Sequence, residues 1–159
     1  MEARLNLPGI PMAAKSMRHI ASASMSIIQE STLPAATRDL VLLRASQING
    51  CGFCVDVHSK DLAHTGESAT RVNLVAAWRE GKVFTEAERA ALELTEQGTR
   101  IADAAGGVTD EVWENAAEYY DQEQLAALVM LIALINANNR LGVITRMAGG
   151  DYRPGQYGY

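Results

Sequence analysis

The segment from Asn49 to His58 constrains the fold more than any other part of this 159-residue chain. It reads Asn-Gly-Cys-Gly-Phe-Cys-Val-Asp-Val-His and contains both cysteines and one of the three histidines. Asn-Gly favours a chain reversal. The residues from Cys51 to Thr65 have the mixed polar and apolar pattern of a helix, and Gly66 is suited to its end. The sequence therefore predicts a tight corner between two helices, with both cysteines in the first turn of the second helix.

Cys51, Cys54 and His58 are predicted to share one face of this helix, because residues three and four apart are neighbours on a helix surface. The N-terminus of a helix stabilises negative charge. Cysteines placed there, or in a Cys-x-x-Cys pair, have pKa values lowered from about 8.5 to roughly 3.5–7.5. His58 is spaced to exchange a proton with Cys54, and a nearby sulfur can capture a sulfenic acid as a disulfide. The pattern indicates a nucleophile, a resolving thiol and an acid/base group.

A cysteine pair can also have a structural or metal-binding role. Free cysteines are often inert core residues, and a structural disulfide closing so short a loop would add little stability. A zinc site would need Cys51, Cys54, His58 and His64, which lie on one short helix and cannot converge tetrahedrally. Haem attachment requires a histidine directly after the second cysteine, where the sequence has Val55. The redox interpretation is therefore favoured, and neither metal nor cofactor is expected.

The rest of the chain predicts an all-α single domain of about seven helices spanning residues 1–159, with a core at about 34–145. Residues 1–11 resemble an irregular arm, and the tail after Met147 has no helical pattern, so it should be disordered or lie over a neighbouring molecule. The predicted helices run from Met12 to about Glu30, from Pro34 to Asn49, from Cys51 to Thr65, from Ser68 to Trp78, from Thr85 to about Asp103, from Thr109, and from Asp121. Trp78 and Trp113 are expected in the core.

Leu125 to Ile135 is the most apolar segment of the chain. Its eleven residues are too few to cross a bilayer, so it should be a central core helix or a subunit interface.

Charge and composition exclude some classes of partner and location. The net charge is −5 and there is no basic cluster, which argues against nucleic acid binding. Residues 1–24 contain no continuous apolar block, so we expect no secretory signal peptide and no membrane association. A cytoplasmic location follows, where a cysteine pair is more often redox-active than structural.

Asp39 to Asp61 resembles the core motif of the AhpD-like alkylhydroperoxidases, within the carboxymuconolactone decarboxylase family. Weaker similarity extends through the Phe84–Leu92 segment, the Val-Thr-Asp-Glu-Val-Trp segment ending at Trp113, and Ile135–Arg140, so that it covers roughly Pro34 to Thr145. The resemblance implies an all-helical fold assembled as a trimer or hexamer. It also implies thiol-dependent reduction of peroxides, with an external dithiol such as a lipoylated or thioredoxin-like protein as the reductant.

The same resemblance implies a role for each site residue. Cys54 attacks the peroxide, Cys51 resolves the intermediate and exchanges with the reductant, and Asp39 and His58 form a proton relay. Two positions depart from the family pattern. Asp39 stands where the family usually has Glu, so direct contact with His58 is expected to be lost or made through water. Phe53 occupies the position of a second histidine, which leaves a general thiol–disulfide oxidoreductase or redox sensor as an alternative. A carboxymuconolactone decarboxylase-type enzyme, which works without a cysteine pair, is a further alternative, as is a non-catalytic scaffold.

Overall fold

The computed structural model describes residues 2–104 and 106–156. Within these ranges the chain forms seven α-helices, two short 3₁₀ helices and no β-strand, which confirms the predicted all-α class. The α-helices are α1 (Pro11–Glu30), α2 (Ala35–Asn49), α3 (Gly52–His64), α4 (Ala69–Leu74), α5 (Glu86–Thr99), α6 (Asp110–Tyr119) and α7 (Gln122–Thr145). The 3₁₀ helices are Leu7–Gly9 and Val75–Glu80.

Side-chain caps begin the later helices at the positions that the sequence predicts. Thr85 and Glu88 form a capping box at α5, with the Glu88 N–H donating to Thr85 Oγ1 at 3.2 Å and the Thr85 N–H donating to Glu88 Oε2 at 2.8 Å. Asp121 and Gln124 form a second box at α7. Ser68 and Thr109 accept from backbone N–H groups at the starts of α4 and α6. Each cap satisfies a donor that the helix leaves free, which fixes the first residue locally.

Two helix ends differ from the prediction. The helix predicted to run from Ser68 to Trp78 ends at Leu74 and continues as a 3₁₀ helix with a non-helical residue at Ala77. This change of path buries Trp78, whose indole N–H donates to Glu96 Oε1 at 2.9 Å. The predicted extension of α5 to Asp103 is also wrong, since the helix ends at Thr99.

Trp113 does not lie in the core as predicted: 43% of it is exposed. The inward positions of α6 are Val112 and Ala116, which pack into the core cluster. Trp113 follows Val112 directly, so the rotation of about 100° per helical residue carries it away from that face.

Helix α2 lies between the two apolar clusters of the core. Val41 packs with residues of α5, α6 and α7, whereas Leu40 and Leu43 pack with Leu62, Trp78, Phe84 and Leu92. Burial of such a leucine side chain contributes roughly 1.5–3 kcal/mol. Since both faces of α2 are held, its C-terminal end at Asn49 is a fixed starting point for the corner that carries the cysteines.

Helix α7 has 24 residues and is therefore longer than the apolar segment, Leu125 to Ile135, that the sequence predicts. By length and composition alone it could cross a bilayer, because its most apolar window has a mean hydropathy of 1.6. Leu128, Leu131, Ile132 and Ile135 are nevertheless buried, and α7 packs on α1, α2, α3 and α5. Packing in the core accounts for the apolar character of this face.

The C-terminal tail lies on its own chain, which the prediction of disorder or contact with a neighbour did not foresee. The N–H groups of Gly150 and Tyr152 donate to Asp56 Oδ2 at 2.7 and 3.2 Å. Lys60 Nζ donates to the carbonyl oxygens of Gly150 and Tyr152, each at 3.0 Å. Residues 150–152 are therefore tied to the outer side of α3, while residues 157–159 of the predicted tail lie outside the described ranges.

Candidate active site

The corner before α3 forms as its sequence predicts. Gly50 has φ 67° and ψ 29°, a left-handed conformation that favours glycine, and it ends α2. The Cys51 N–H then donates to the Ser46 carbonyl at 3.1 Å. Cys51 is the N-cap residue of α3, and Cys54 is the third residue of the helix. Both sulfurs are thus placed at the N-terminal end of α3.

Cys51 and Cys54 form a disulfide, with an S–S distance of 2.17 Å and a Cα–Cα distance of 5.3 Å. The Cys54 N–H donates to Cys51 Sγ at 3.3 Å. This contact and the positive end of the helix dipole would stabilise a thiolate when the pair is reduced. The structure therefore represents the oxidised form of the pair.

Helix α7 packs directly on the disulfide at Gly142. A Cβ atom at this position would lie only 2.7 Å from Cys51 Sγ and 3.7 Å from Cys54 Sγ. Only a residue without a side chain allows this approach. A glycine inside a helix lowers stability by about 1 kcal/mol relative to alanine. The close approach of the disulfide explains why glycine is nevertheless found at position 142. The sequence offered a signal, since an isolated glycine in a helical pattern often marks close packing.

A cavity of about 450 Å³ opens beside Cys54. Phe53, Cys54 and His58 line it from α3, together with side chains of α1, α2 and α7. Cys51 is not part of the lining. Most of the wall is apolar, including Met17, Met25, Leu42, Leu131 and Leu141. Cys54 is thus the sulfur that an apolar molecule in the cavity would meet.

His58 faces this cavity with its ring nitrogens free. Within residues 2–104 and 106–156 its side chain makes no hydrogen bond, whereas every fully enclosed side-chain nitrogen or oxygen there has a partner. The nitrogens of His58 must therefore reach the open space. Burial lowers the pKa of His58 to about 4, so the ring is neutral at neutral pH in the disulfide form. A thiolate on Cys54 would favour the charged ring and oppose this effect.

Asp39 lines the same cavity from α2. Its carboxylate accepts a long hydrogen bond of 3.5 Å from Arg38 Nε. Burial raises the pKa of Asp39, Arg38 opposes that change, and the charge of Asp61 adds to it. Arg38 is thus the hydrogen-bond partner that the structure gives the Asp39 carboxylate. The structure brings Asp39, Cys54 and His58 to one cavity.

A polar cluster behind the site connects the corner to α7. Asn49 Nδ2 donates to Asn136 Oδ1 and Asn139 Oδ1, each at 2.9 Å. Asn139 Nδ2 donates to Ser46 Oγ at 3.1 Å, and Asn139 is completely buried. The sequence suggested no role for these asparagines. Their hydrogen bonds fix the end of α2, and so the position of Cys51, against α7.

Asp61 and the tail are further elements that the sequence did not assign. Asp61 lines the cavity three residues after His58, a spacing that places both on one side of α3. Tyr152 reaches Asp61 from the tail, with its hydroxyl donating to Asp61 Oδ1 at 2.7 Å. His64 also lines the cavity. Across residues 2–104 and 106–156, no three His, Cys, Asp or Glu side chains are grouped to hold a metal ion.

Sequence comparison decides the family. Residues 14–97 match the profile of the carboxymuconolactone decarboxylase family. The chain is 39% identical over 115 residues to the uncharacterised protein YdfG of Bacillus subtilis, covering 72% of this chain and 77% of YdfG. The chain belongs to the carboxymuconolactone decarboxylase family. A second relative, the uncharacterised protein YnjA of Escherichia coli, is 33% identical over 112 residues, which cover 70% of this chain and 60% of YnjA.

Solved structures place this family member in the AhpD-like group. A protein of unknown function from Agrobacterium tumefaciens, suggested to be the antioxidant defence protein AhpD, matches with a TM-score of 0.86 and 32% identity, over 95% of this chain and 100% of that one. The debrominase Bmp8 matches with a TM-score of 0.78 and 19% identity, over 91% of this chain and 75% of that one. The second match shows the shared fold alone. The expected AhpD-like fold is thereby confirmed.

Proposed function

We propose that this protein is a thiol-dependent hydroperoxide reductase that uses Cys54 and Cys51. One observation carries the proposal: Cys54 and His58 line the same largely apolar cavity, while Cys51 Sγ is within bonding distance of Cys54 Sγ. The AhpD-like relatives support the same chemistry. The arrangement offers a nucleophile next to the substrate space and a second thiol that can trap the product of its oxidation.

The reaction begins with the reduced pair. Cys54 thiolate attacks the terminal oxygen of ROOH, an S–O bond forms as the O–O bond breaks, and the sulfur loses two electrons to the peroxide. The alkoxide takes a proton and leaves as the alcohol, with His58 and Asp39 as the proposed relay. Cys51 thiol then attacks the sulfenic acid, the disulfide forms, and water leaves.

An external dithiol must then restore the pair by exchange. A lipoylated or thioredoxin-like protein fits this role, and the cytoplasm is the compartment in which such reductants keep thiols reduced. Cys51 and Cys54 are only 1% and 5% exposed. A protein dithiol would therefore need the covering segments of α7 or the tail to move before it could reach a sulfur.

Two cysteine variants test the proposal. Reduced wild type should consume an organic hydroperoxide catalytically when a dithiol is present. Cys54→Ser should abolish this consumption. Cys51→Ser should react once and stop at a sulfenic acid that a sulfenic-acid-specific reagent labels. Undiminished turnover by Cys54→Ser would end the proposal, as would wild type that is inert to every hydroperoxide tried.

A general thiol–disulfide oxidoreductase is the second candidate. Phe53 favours it, because this aromatic side chain lines the cavity at the position where the peroxidases that the motif resembles carry a second histidine. Such a protein would exchange rapidly with disulfide substrates and react slowly with peroxides, so the two rate constants separate the candidates. A decarboxylase-type activity would survive replacement of both cysteines.

We also propose that the protein is a homo-oligomer, a trimer or a hexamer. The outer surface of α7 supports this, since Val129, Met130, Val143 and Ile144 are exposed. A second copy of this helical surface is a suitable cover for such side chains. Sedimentation equilibrium should give a multiple of the 17.2 kDa chain mass, and Met130→Glu should lower it. A monomer at all concentrations would contradict the proposal.

A further inference from the structure

Both sulfurs of the disulfide are covered, although a reductant must reach one of them. Cys51 and Cys54 are almost completely buried. The cavity of about 450 Å³ beside Cys54 has the size of a small-molecule site and does not admit a folded protein. A protein dithiol must therefore approach the pair from the outside, at the first turn of α3. Gly50 and Gly52, on either side of Cys51, are exposed there.

The chain that follows α7 crosses this first turn. Arg146 ends α7 in a left-handed conformation, with φ 58°. The Met147 N–H then donates to the Gly142 carbonyl at 2.9 Å, and Met147 lines the cavity. Two residues further, Gly149 lies against the outside of α3, where a Cβ atom on it would be 2.5 Å from the Gly52 carbonyl oxygen. The chain thus passes from the cavity to the outer surface over the turn that carries both sulfurs.

Two side chains of α3 hold the crossing segment in place. The segment comprises residues 148–152, and we call it the strap. Asp56 Oδ2 accepts from the N–H groups of Gly150 and Tyr152 at 2.7 and 3.2 Å. Lys60 Nζ donates to the carbonyl oxygens of the same two strap residues, each at 3.0 Å, and it forms an ion pair with Asp56 Oδ1 at 2.6 Å. One acid and one base on α3 therefore bind four backbone groups of the strap.

The strap can open without disturbing the core, whereas α7 cannot. Helix α7 packs on α1, α2, α3 and α5, and at Gly142 it lies directly on the disulfide. The contacts of the strap with Asp56 and Lys60 are polar, and water can replace them when the strap leaves α3. Its two glycines allow the backbone to change direction. Arg146 favours opening, because a residue with a Cβ atom adopts the left-handed conformation only at a cost in energy.

We propose that the strap controls the reduction of the disulfide: a protein dithiol reaches a sulfur only when residues 148–152 leave α3. The inference rests on the proposed function, in which an external dithiol restores the pair. In the open state a thiolate of the reductant attacks Cys51 Sγ, the S–S bond breaks, and Cys54 leaves as a thiolate. The second thiol of the reductant then releases Cys51 from the mixed disulfide. Two electrons pass to the pair, and the protons of the dithiol reach the cysteines through water.

The test compares two rate constants for reduction of the disulfide, one with excess reduced thioredoxin and one with excess dithiothreitol. Dithiothreitol is small enough to enter the cavity, so its rate reports the reactivity of the pair itself. Asp56→Ala removes the acceptor of two strap N–H groups and should raise the thioredoxin-to-dithiothreitol ratio about tenfold or more. Lys60→Met removes the donor to two strap carbonyls and should raise this ratio as well. Gly149→Ala, whose methyl group would meet the Gly52 carbonyl, should raise it without any change of charge.

The opposite charges of Asp56 and Lys60 separate release of the strap from an electrostatic effect on the sulfurs. Asp56→Ala removes a negative charge near the pair and Lys60→Met removes a positive one, so an electrostatic effect alone would move the rates in opposite directions. Asp151→Ala, at an exposed position of the strap, is the matched control for loss of a carboxylate and should leave the ratio unchanged. Ratios for Asp56→Ala and Lys60→Met that equal the wild-type ratio, or that move in opposite directions, would overturn the inference.

Neither rate constant requires a peroxide, so the strap and the proposed function can fail separately. Wild type that reduces no hydroperoxide, together with raised ratios in the variants, would reject the proposed function and retain the strap. Amide hydrogen exchange measured by NMR on the disulfide form observes the strap directly. The Gly150 and Tyr152 N–H groups should exchange more slowly than in an unstructured peptide, and Asp56→Ala should remove this protection while Asp151→Ala keeps it. Unprotected amides in wild type would overturn the inference, because the strap would then not be closed.

Discussion

His58 makes the stability of the oxidised protein depend on pH. The unfolded chain binds a proton on this histidine below about pH 6.5, but the folded protein does so only near pH 4, because burial lowers the pKa to about 4. Acid therefore favours the unfolded chain in this window. We expect His58 to remove about 2 kcal/mol from the free energy of unfolding between about pH 7 and about pH 5. Urea unfolding of wild type and His58→Gln at both pH values measures it.

Wild type must be compared with His58→Gln because other titratable groups change the free energy of unfolding in the opposite direction as the pH falls. Asp39 and Asp61 have raised pKa values, so the stability that they contribute is present at low pH and is lost as the pH rises. The difference in the free energy of unfolding between wild type and His58→Gln isolates the contribution of His58. His19→Gln, at an exposed position of α1, is the control. The expectation fails if the difference between wild type and His58→Gln is the same at both pH values.

Gly142 is a second single residue on which the site depends. Alanine here would place a methyl group 2.7 Å from Cys51 Sγ, and the sulfur cannot move without its disulfide partner. We expect Gly142→Ala to lower the free energy of unfolding by about 1–3 kcal/mol, the usual cost of overpacking. Gly98→Ala is the matched control, since its methyl group would meet the Ile132 Cγ2 methyl group at the less severe distance of 3.1 Å. The helix propensity that alanine gains, about 1 kcal/mol, offsets the small shift that this contact requires, so Gly98→Ala should lose less stability than Gly142→Ala. Equal effects of the two substitutions in urea unfolding would count against the close packing.

At the scale of the secondary-structure elements, the asparagine cluster joins α2 to α7. Asn49→Ala would remove the donor to Asn136 Oδ1 and Asn139 Oδ1. Asn139 Oδ1 would then be buried without that partner, which costs about 1–3 kcal/mol. The matched substitution Asn73→Ala, at an exposed position of α4, should change stability by less than about 0.5 kcal/mol. Urea unfolding compares the two variants. A loss in Asn49→Ala no larger than in Asn73→Ala would mean that the cluster does not stabilise the corner.

Helix starts could be predicted from the sequence because the information is local. Thr85 with Glu88, and Asp121 with Gln124, satisfy helix donors within three residues. The tail could not be predicted, since Tyr152 and Gly150 find Asp56, Lys60 and Asp61 more than eighty positions away. Helix ends were less accurate than starts for the same reason. The turn at Ala77 serves the burial of Trp78 against Glu96, a partner on another helix.

At the scale of the whole molecule, the candidate site could be predicted only in part from the sequence. Cys51, Cys54 and His58 fall within eight positions, so their proximity followed from helical spacing alone. The cavity did not, because its wall is assembled from four helices. Met17 and Met25 of α1 are part of that wall, although α1 contains no fully buried residue. A helix that covers a cavity has the loose apolar pattern of any surface helix, and nothing local distinguishes it.

The role of α1 as a wall gives a prediction about substrate size. Ser24 is half-buried and lines the cavity, whereas Ser22 of the same helix is exposed and does not. Ser24→Phe would fill space that a bulky hydroperoxide needs and leave room for hydrogen peroxide. We expect the rate with cumene hydroperoxide to fall by about tenfold or more, with the rate for hydrogen peroxide little changed. Steady-state kinetics with both peroxides measures this selectivity.

Ser22→Phe controls for the added aromatic ring and should leave both rates unchanged. Calorimetric binding of cumyl alcohol, the product, gives a result that does not depend on turnover, and Ser24→Phe should weaken it while Ser22→Phe should not. If Ser24→Phe slows both peroxides equally, the cavity is not the path of the substrate. If both serine variants bind the alcohol as wild type does, α1 does not bound the substrate space, and the apolar wall beside Cys54 has only a structural purpose.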